Sequence, residues 1–312
     1  MKENSFSIKH LPSLLKETFI EWMDDDPFDQ SAIVAFYSIF SLPALLIIIV
    51  TVAGLAFGEH AVEGTISKEV GSVMGEDAGK EIETMLANAY QSDRSLVMTI
   101  IGIATLLFGA TSVLVALKRS LNRMWEVEED TEKVGFRKVV LDRTMSFGII
   151  LVVGFLLLIS LVLTSALSVL SDWIQQQLPD FLLYVFYFLN FLITLGLVTV
   201  MFALLFKFLP DVKIQWRSVW VGGVVTALLF VIGKFAMGIY FSKAEPGSTY
   251  GAAGSIILIL LWVSYSCMIM FFGAEFTQVY ARRYAHTIQP SELARRSYDY
   301  HEDKRKGIKP GE

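Results

Sequence analysis

Six long apolar runs, at roughly 31–57, 95–117, 145–170, 182–206, 218–241 and 251–279, leave this 312-residue chain little to fold into but a bundle of membrane-length helices. Each reaches or exceeds the ~20 residues that cover ~30 Å of hydrocarbon at ~1.5 Å rise per residue. Six crossings place 1–30, 118–144, 207–217 and 280–312 on one side, and those segments hold 21 Lys and Arg residues. The opposite side receives 58–94, 171–181 and 242–250, which hold 4. Lys and Arg are retained on the cytoplasmic side during insertion, so both termini are expected in the cytoplasm of a cell bounded by this inner membrane.

Composition agrees with this reading, because 54% hydrophobic residues against 18% charged is more apolar content than a soluble core of this size absorbs. Segment 58–94 carries eight acidic and three basic residues, and the tail 280–312 eight basic and five acidic. This is a membrane asymmetry and not a nucleic-acid footprint, so no nucleic-acid partner is expected. The single cysteine, Cys267, excludes an intramolecular disulfide and a cysteine-based metal site. The polar start and the late, long first run do not fit a cleavable signal peptide, so that run is expected to remain as an anchor.

The expected fold class is therefore all-α: a polytopic bundle of six transmembrane helices, an N-terminal interfacial helix and two short external helices. Three parts follow: a cytoplasmic amphipathic segment at 1–30, a membrane domain at 31–279 with an external insertion at 58–94, and a flexible cytoplasmic tail at 280–312. In the first part, Leu11, Leu14, Leu15, Phe19, Trp22 and Met23 recur at helical spacing, opposite Lys16, Glu17 and Glu21. That pattern predicts a helix lying in the membrane interface until Asp24-Asp25-Asp26-Pro27 breaks it. In the insertion, Val62, Ile66, Val70 and Val73 form one stripe and Ile82, Leu86, Ala89 and Tyr90 another, divided by Gly75 and Gly79. They predict two short helices over the outer mouth.

Three spans depart from uniform apolarity. The first contains Tyr37-Ser38-Ile39-Phe40-Ser41-Leu42-Pro43, where proline lacks a donor for the carbonyl of Ile39. In the fifth, Gly223, Thr226, Lys234 and Gly238 fall within one face of about 120°. Lys234 lies ~10 Å from the outer end of its run, deep enough to need a partner or water unless its stem snorkels. In the sixth, Gly254, Ser255, Trp262, Tyr265, Ser266 and Gly273 share a face, with Trp262 and Tyr265 near mid-membrane. Glu275 sits on nearly the opposite face near the cytoplasmic end, with Arg119 or Arg123 as its expected partner. The candidate substrate path is thus Ser41, Pro43, Thr226, Lys234, Trp262 and Tyr265, and the candidate inner gate or clamp is Arg119, Arg123 and Glu275. The four histidines, His10, His60, His286 and His301, are scattered through segments on both sides. No nucleophile elbow, phosphate-binding loop or metal-ligand set accompanies them, so no cofactor and no enzymatic activity is expected.

Taken in order, several segments resemble the YihY/BrkB family of bacterial inner-membrane proteins, once labelled ribonuclease BN. The resemblance runs from about Asp24 to Arg283. Its carriers are Ala35-Phe36-Tyr37-Ser38-Ile39-Phe40-Ser41-Leu42-Pro43, Leu121-Asn122-Arg123-Met124-Trp125-Glu126-Val127, Arg143 with Gly154-Phe155-Leu156-Leu157, and Lys234 with Tyr240. The last are Leu261-Trp262-Val263-Ser264-Tyr265 and Phe272-Gly273-Ala274-Glu275-Phe276. The resemblance implies six spans with cytoplasmic termini and, by association with envelope integrity and lipid traffic, export or flipping of a small or amphipathic solute or lipid. The partners expected are the lipid bilayer and that solute; an oligomer is compatible. The ribonuclease label implies transfer-RNA maturation, the first alternative, and a non-transporting envelope scaffold is the second.

Overall fold

The computed structural model describes residues 10–90, 96–129, 144, 148, 180–244, 246, 250, 253–284, 288–291 and 294–296. The third apolar run with its Gly154–Leu157 segment, Arg143, the loop at 171–179 and the end of the tail from 297 lie outside them. The helices are α1 (Leu11–Asp24), α2 (Pro27–Phe57), α3 (Glu59–Met74), α4 (Glu76–Tyr90), α5 (Leu96–Met124), α6 (Asp180–Phe208), α7 (Trp216–Ala244) and α8 (Gly254–Tyr284). Among the described residues, three helical stretches are long and apolar enough to cross a membrane: Phe188–Phe208, Trp216–Ala244 and Gly254–Tyr284.

Local chemistry sets the breaks. Pro12 opens α1 and Pro27 opens α2, each at a position where its missing N–H costs nothing. Between them Asp26 takes a left-handed conformation, φ 52°, which an aspartate tolerates better than most residues. Gly58 and Gly75 have positive φ, at 84° and 100°, and end α2 and α3. Pro43 does not break α2, which runs through it. Ser38 donates to the carbonyl of Val34 at 2.8 Å and Ser41 to that of Ser38 at 3.1 Å. Neither hydroxyl serves Ile39.

α3 and α4 form the expected helical pair, with one change. Gly75 alone is the break, and Gly79 lies inside α4. A Cβ there would stand 2.8 Å from the carbonyl oxygen of Ser67 and 3.3 Å from the Cα of Gly71, so Gly79 lets the two backbones touch. Val62, Ala78, Ile82 and Leu86 then pack on Leu46, Val50, Phe241, Leu258 and Ile259, closing one end of the bundle.

At the other end α1 lies against α8, and the chain is not wholly helical. Strand β1 (Val127–Glu129) pairs antiparallel with β4 (Ala294–Arg296), and β2 (Val212–Lys213) with β3 (Gln289–Pro290). Residues expected to be a flexible tail are therefore tied to the α5 exit and to the α6–α7 turn. Asp211 anchors that turn: Lys118 reaches its carboxylate at 3.0 Å, Asn122 donates to it at 3.0 Å, and Ser291 N–H donates to its carbonyl at 2.8 Å. Residues 289–290 and 294–296 are held by short backbone pairings, which leave no apolar periodicity in the sequence, and Ile288 packs beside them on the core.

The tightest helix seam joins α7 and α8, and it is reciprocal. A Cβ at Gly222 would collide with Thr277, and one at Gly273 would collide with Thr226. Each threonine donates to the carbonyl of the glycine four residues before it, Thr226 to Gly222 and Thr277 to Gly273, both at 2.7 Å. Two Gly-xxx-Thr units thus interlock between antiparallel helices, with no hydroxyl left unpaired. Close approach of this kind supplies the dispersion that replaces hydrophobic driving force in lipid. Gly222→Ala or Gly273→Ala is expected to cost about 1–3 kcal/mol by overpacking. Gly196→Ala, where a Cβ meets nothing within 4 Å, is expected to be neutral or stabilising through helix propensity. Thermal unfolding in detergent checks the contrast, and equal effects at all three sites would refute it.

Candidate functional site

The sequence-derived candidates separate into three places. The first is the α7–α8 face beyond the interlocked threonines. Gly233 sits under the ring of Tyr265, whose Oη would lie 2.9 Å from a Cβ there. Trp262 meets Phe230 edge-on at 6.1 Å, and Phe230 meets Phe202 of α6 at 5.7 Å, so an aromatic chain crosses three helices. Lys234 follows Gly233 but is exposed, between Ile232 and Phe235 at 65% and 69% exposure. Its ammonium has no ion-pair partner among the described residues. Thr226 belongs to the same helix pair but is wholly buried in the seam. The predicted common face of Gly223, Thr226, Lys234 and Gly238 is therefore divided: Gly223 faces Thr199 and Ala203 of α6, Thr226 faces α8, and Lys234 faces outward.

The second place is the α2–α5 contact. Ser41 is buried, and a Cβ at Gly109 of α5 would stand 3.2 Å from the Phe40 carbonyl oxygen and 3.6 Å from the Ser41 Cα. Pro43 is half-buried one half-turn on. These residues are not brought together with Lys234, Trp262 and Tyr265 by any described contact.

The third is a polar centre beneath α1. Leu14, Thr18, Glu21 and Asp25 recur at spacings of four and three and face the bundle, whereas Leu15, Phe19 and Met23 are exposed. The predicted single apolar stripe of α1 is thus split, because charge attraction turns its acidic residues inward. Arg282 donates to Glu21 at 2.7 Å and to Glu17 at 3.2 Å, and Arg283 donates to Ser13 at 3.2 Å. Trp22 stands edge-on to Phe272 at 5.7 Å, and His10 lies 3.1 Å from the Tyr284 hydroxyl.

Glu275 is at the heart of this centre, 1% exposed. With the Gln278 carboxamide oriented as its neighbours require, its nitrogen donates to Glu275 Oε1 at 2.8 Å and to the carbonyl of Met124 at 2.7 Å, linking α8 to α5. Glu275 lies close to the carboxyls of Glu21 and Asp25, and the Arg282 guanidinium acts on it through space while its own ion pairs go to Glu21 and Glu17. Arg123 is taken by the α1–α2 corner, 2.6 Å from Asp26 and 3.8 Å from Asp25, and Arg119 is exposed. Arg282 and Arg283 look like a generic basic helix end until α1 folds back over them and its Glu17 and Glu21 pair with Arg282. The Glu17, Glu21 and Asp25 periodicity, read together with that basic pair, is the signal that was there to find. Among the described residues no group of three or more His, Cys, Asp or Glu side chains could hold a metal ion.

The ion pairs of Arg282 are about two-fifths exposed, so each contributes at most about 1 kcal/mol. Arg282→Gln is accordingly expected to speed tryptic cleavage after the exposed Lys16 by about two- to fivefold, through local opening of α1. An unchanged rate would mean that packing of Leu14 on Phe276 and Tyr280 alone holds the helix.

The family model described as virulence factor BrkB matches residues 18–297, from the second half of α1 through β4. A UPF0761 membrane protein of Verminephrobacter eiseniae is 28% identical over 177 residues, 56% of this chain and 40% of its own length. One from Alteromonas mediterranea is 29% identical over 181 residues, 58% of each chain. One from Pseudomonas aeruginosa is 28% identical over 249 residues, 79% of this chain and 57% of its own. The chain therefore spans about half the length of the curated relatives it matches. No solved structure matches it. With a family match across most of its length and relatives that are membrane proteins, this chain belongs to the BrkB family of membrane proteins.

Proposed function

We propose that this BrkB-family protein crosses the inner membrane six times, with both termini in the cytoplasm, and moves a small or amphipathic solute or a lipid. The topology rests on the 21-to-4 division of basic residues between alternate loops. It puts α1 and its polar centre at the cytoplasmic end and the α3–α4 pair outside. The exposed Leu15, Phe19 and Met23 then dip into the inner interface, and Glu17 and Glu21 hold the helix to α8.

The observation that carries the transport reading is Lys234. It is an exposed ammonium on an otherwise apolar helix face, ~10 Å from the outer end of its apolar run, a distance much of which a snorkelling stem covers. A cation held there favours the anionic head of an amphipathic solute at the edge of the bundle. Gly233 and Tyr265 beside it, with Trp262 next along α8, supply an aromatic wall with polar tips. In this reading Ser41, Pro43 and Thr226 set helix packing around the path and do not touch the solute. Glu275, with the Arg282–Glu21 and Arg123–Asp26 pairs around the α1 end, closes the inner end.

Proteoliposomes loaded with candidate lipids and osmolytes test the proposal. Protein-dependent movement of at least one probe is expected, with Lys234→Ala slowing it about tenfold, the equivalent of ~1.4 kcal/mol on the barrier. Absence of movement for every probe, together with an unchanged cellular phenotype for Lys234→Ala, would leave a non-transporting envelope scaffold as the better account.

A further inference from the structure

We propose that the turn between α6 and α7 holds the headgroup of an anionic glycerophospholipid in the leaflet at the α1 end of the bundle. The argument begins with position. α6 and α7 both contain stretches long and apolar enough to cross a membrane, so the seven residues joining them lie at a membrane boundary. Phe208, Trp216 and Trp220 flank the turn and are 51%, 45% and 43% exposed. Half-exposed tryptophans at a span end are the side chains that bilayers hold at headgroup depth.

Charge is the second observation. The segment 207–217 contains three cations, Lys207, Lys213 and Arg217, and one carboxylate, Asp211. That carboxylate is turned into the bundle and used by Lys118 and Asn122. Lys207 and Arg217 have no carboxylate partner among the described residues. Lys207 is nevertheless fixed in place: its Nζ donates to the carbonyl of Ile214 and stands 5.4 Å from the centre of the Trp216 ring. Both contacts leave its positive charge uncancelled and localised at Trp216, the residue before Arg217 in the first turn of α7.

The third observation separates a lipid from a free anion. Along α7, Trp220, Val224 and Leu228 are exposed at four-residue spacing, so an apolar stripe runs from the cationic turn toward the middle of the helix. A phosphate alone would use the cations and leave the stripe idle, whereas a glycerophospholipid satisfies both ends. Each exposed basic residue near an anionic surface contributes about fivefold in affinity. Lys234 takes no part, so this site stands or falls independently of transport.

Native mass spectrometry of the full chain, titrated in detergent with phosphatidylglycerol, phosphatidylcholine or inorganic phosphate, tests the site. Phosphatidylglycerol is expected to be retained over phosphatidylcholine. Arg217→Gln should cut that preference about fivefold and Lys207→Gln with Arg217→Gln should abolish it, while Arg217→Lys should keep most of it. Equal retention of the two lipids would overturn the proposal. So would displacement of phosphatidylglycerol by equimolar inorganic phosphate, or a preference unchanged in the double variant. Should the double variant fail to fold, the difference between Arg217→Lys and Arg217→Gln decides.

Discussion

Everything described around α8 depends on how closely α7 can approach it, and that distance is set by two missing side chains. Gly222 and Gly273 are each filled by a threonine of the opposite helix, and each threonine satisfies its hydroxyl on its own helix. In water, burial of apolar surface would draw such helices together; in lipid that term is absent and the number of close atom contacts decides. The seam therefore fixes the rotation of α7 about its axis. With Thr226 turned toward α8, Gly223 must meet α6 and Lys234 must face outward.

The two ends of the bundle are closed by different chemistry. At the α3–α4 end the closure is apolar, with Val62, Ile82 and Leu86 seated on α2, α7 and α8, and Gly79 allowing backbone contact between the pair. At the α1 end it is polar and uses residues far apart in sequence. Asp211 gathers α5, the α6–α7 turn and residue 291, while Gln278 ties Glu275 to the end of α5. Lys118 and Asp211 are both largely buried, so their pair is screened less by solvent than an ion pair at the surface.

What could be read from the sequence follows the range of the forces involved. Helix identity, the Gly75 break and the apolar stripes of α3 and α4 are short-range properties of spacing and backbone conformation, and the structure has them. The Gly-xxx-Thr units were visible only by halves: Gly223 and Thr226 were grouped on one face, but which glycine receives which threonine depends on the register between two helices. The pairing of Arg282 with Glu17 and Glu21 was less accessible still. Arg119 and Arg123 are nearer the membrane boundary by sequence, yet Asp25 and Asp26 capture Arg123 once α2 turns back at Asp26. Strands β3 and β4 left no periodic signal because pairs two and three residues long carry almost none. The third apolar run cannot enter this comparison, since it lies outside the described residues.

The positions of the two charges read first from the sequence now argue for different roles. Glu275 is fully enclosed and tied by Gln278 to the backbone of α5, so its surroundings are those of a structural centre with little room for a solute. Lys234 has the opposite setting: an exposed cation on an apolar face, beside a glycine that accommodates a tyrosine ring. A charge buried inside the bundle would have pointed to an enclosed aqueous path. A charge facing outward from α7 points to the boundary between protein and lipid, where only a molecule with both polar and apolar parts gains from meeting it. Under the proposed transport reading, the orientation of α7 imposed by the glycine–threonine seam favours an amphipathic solute over a wholly polar one.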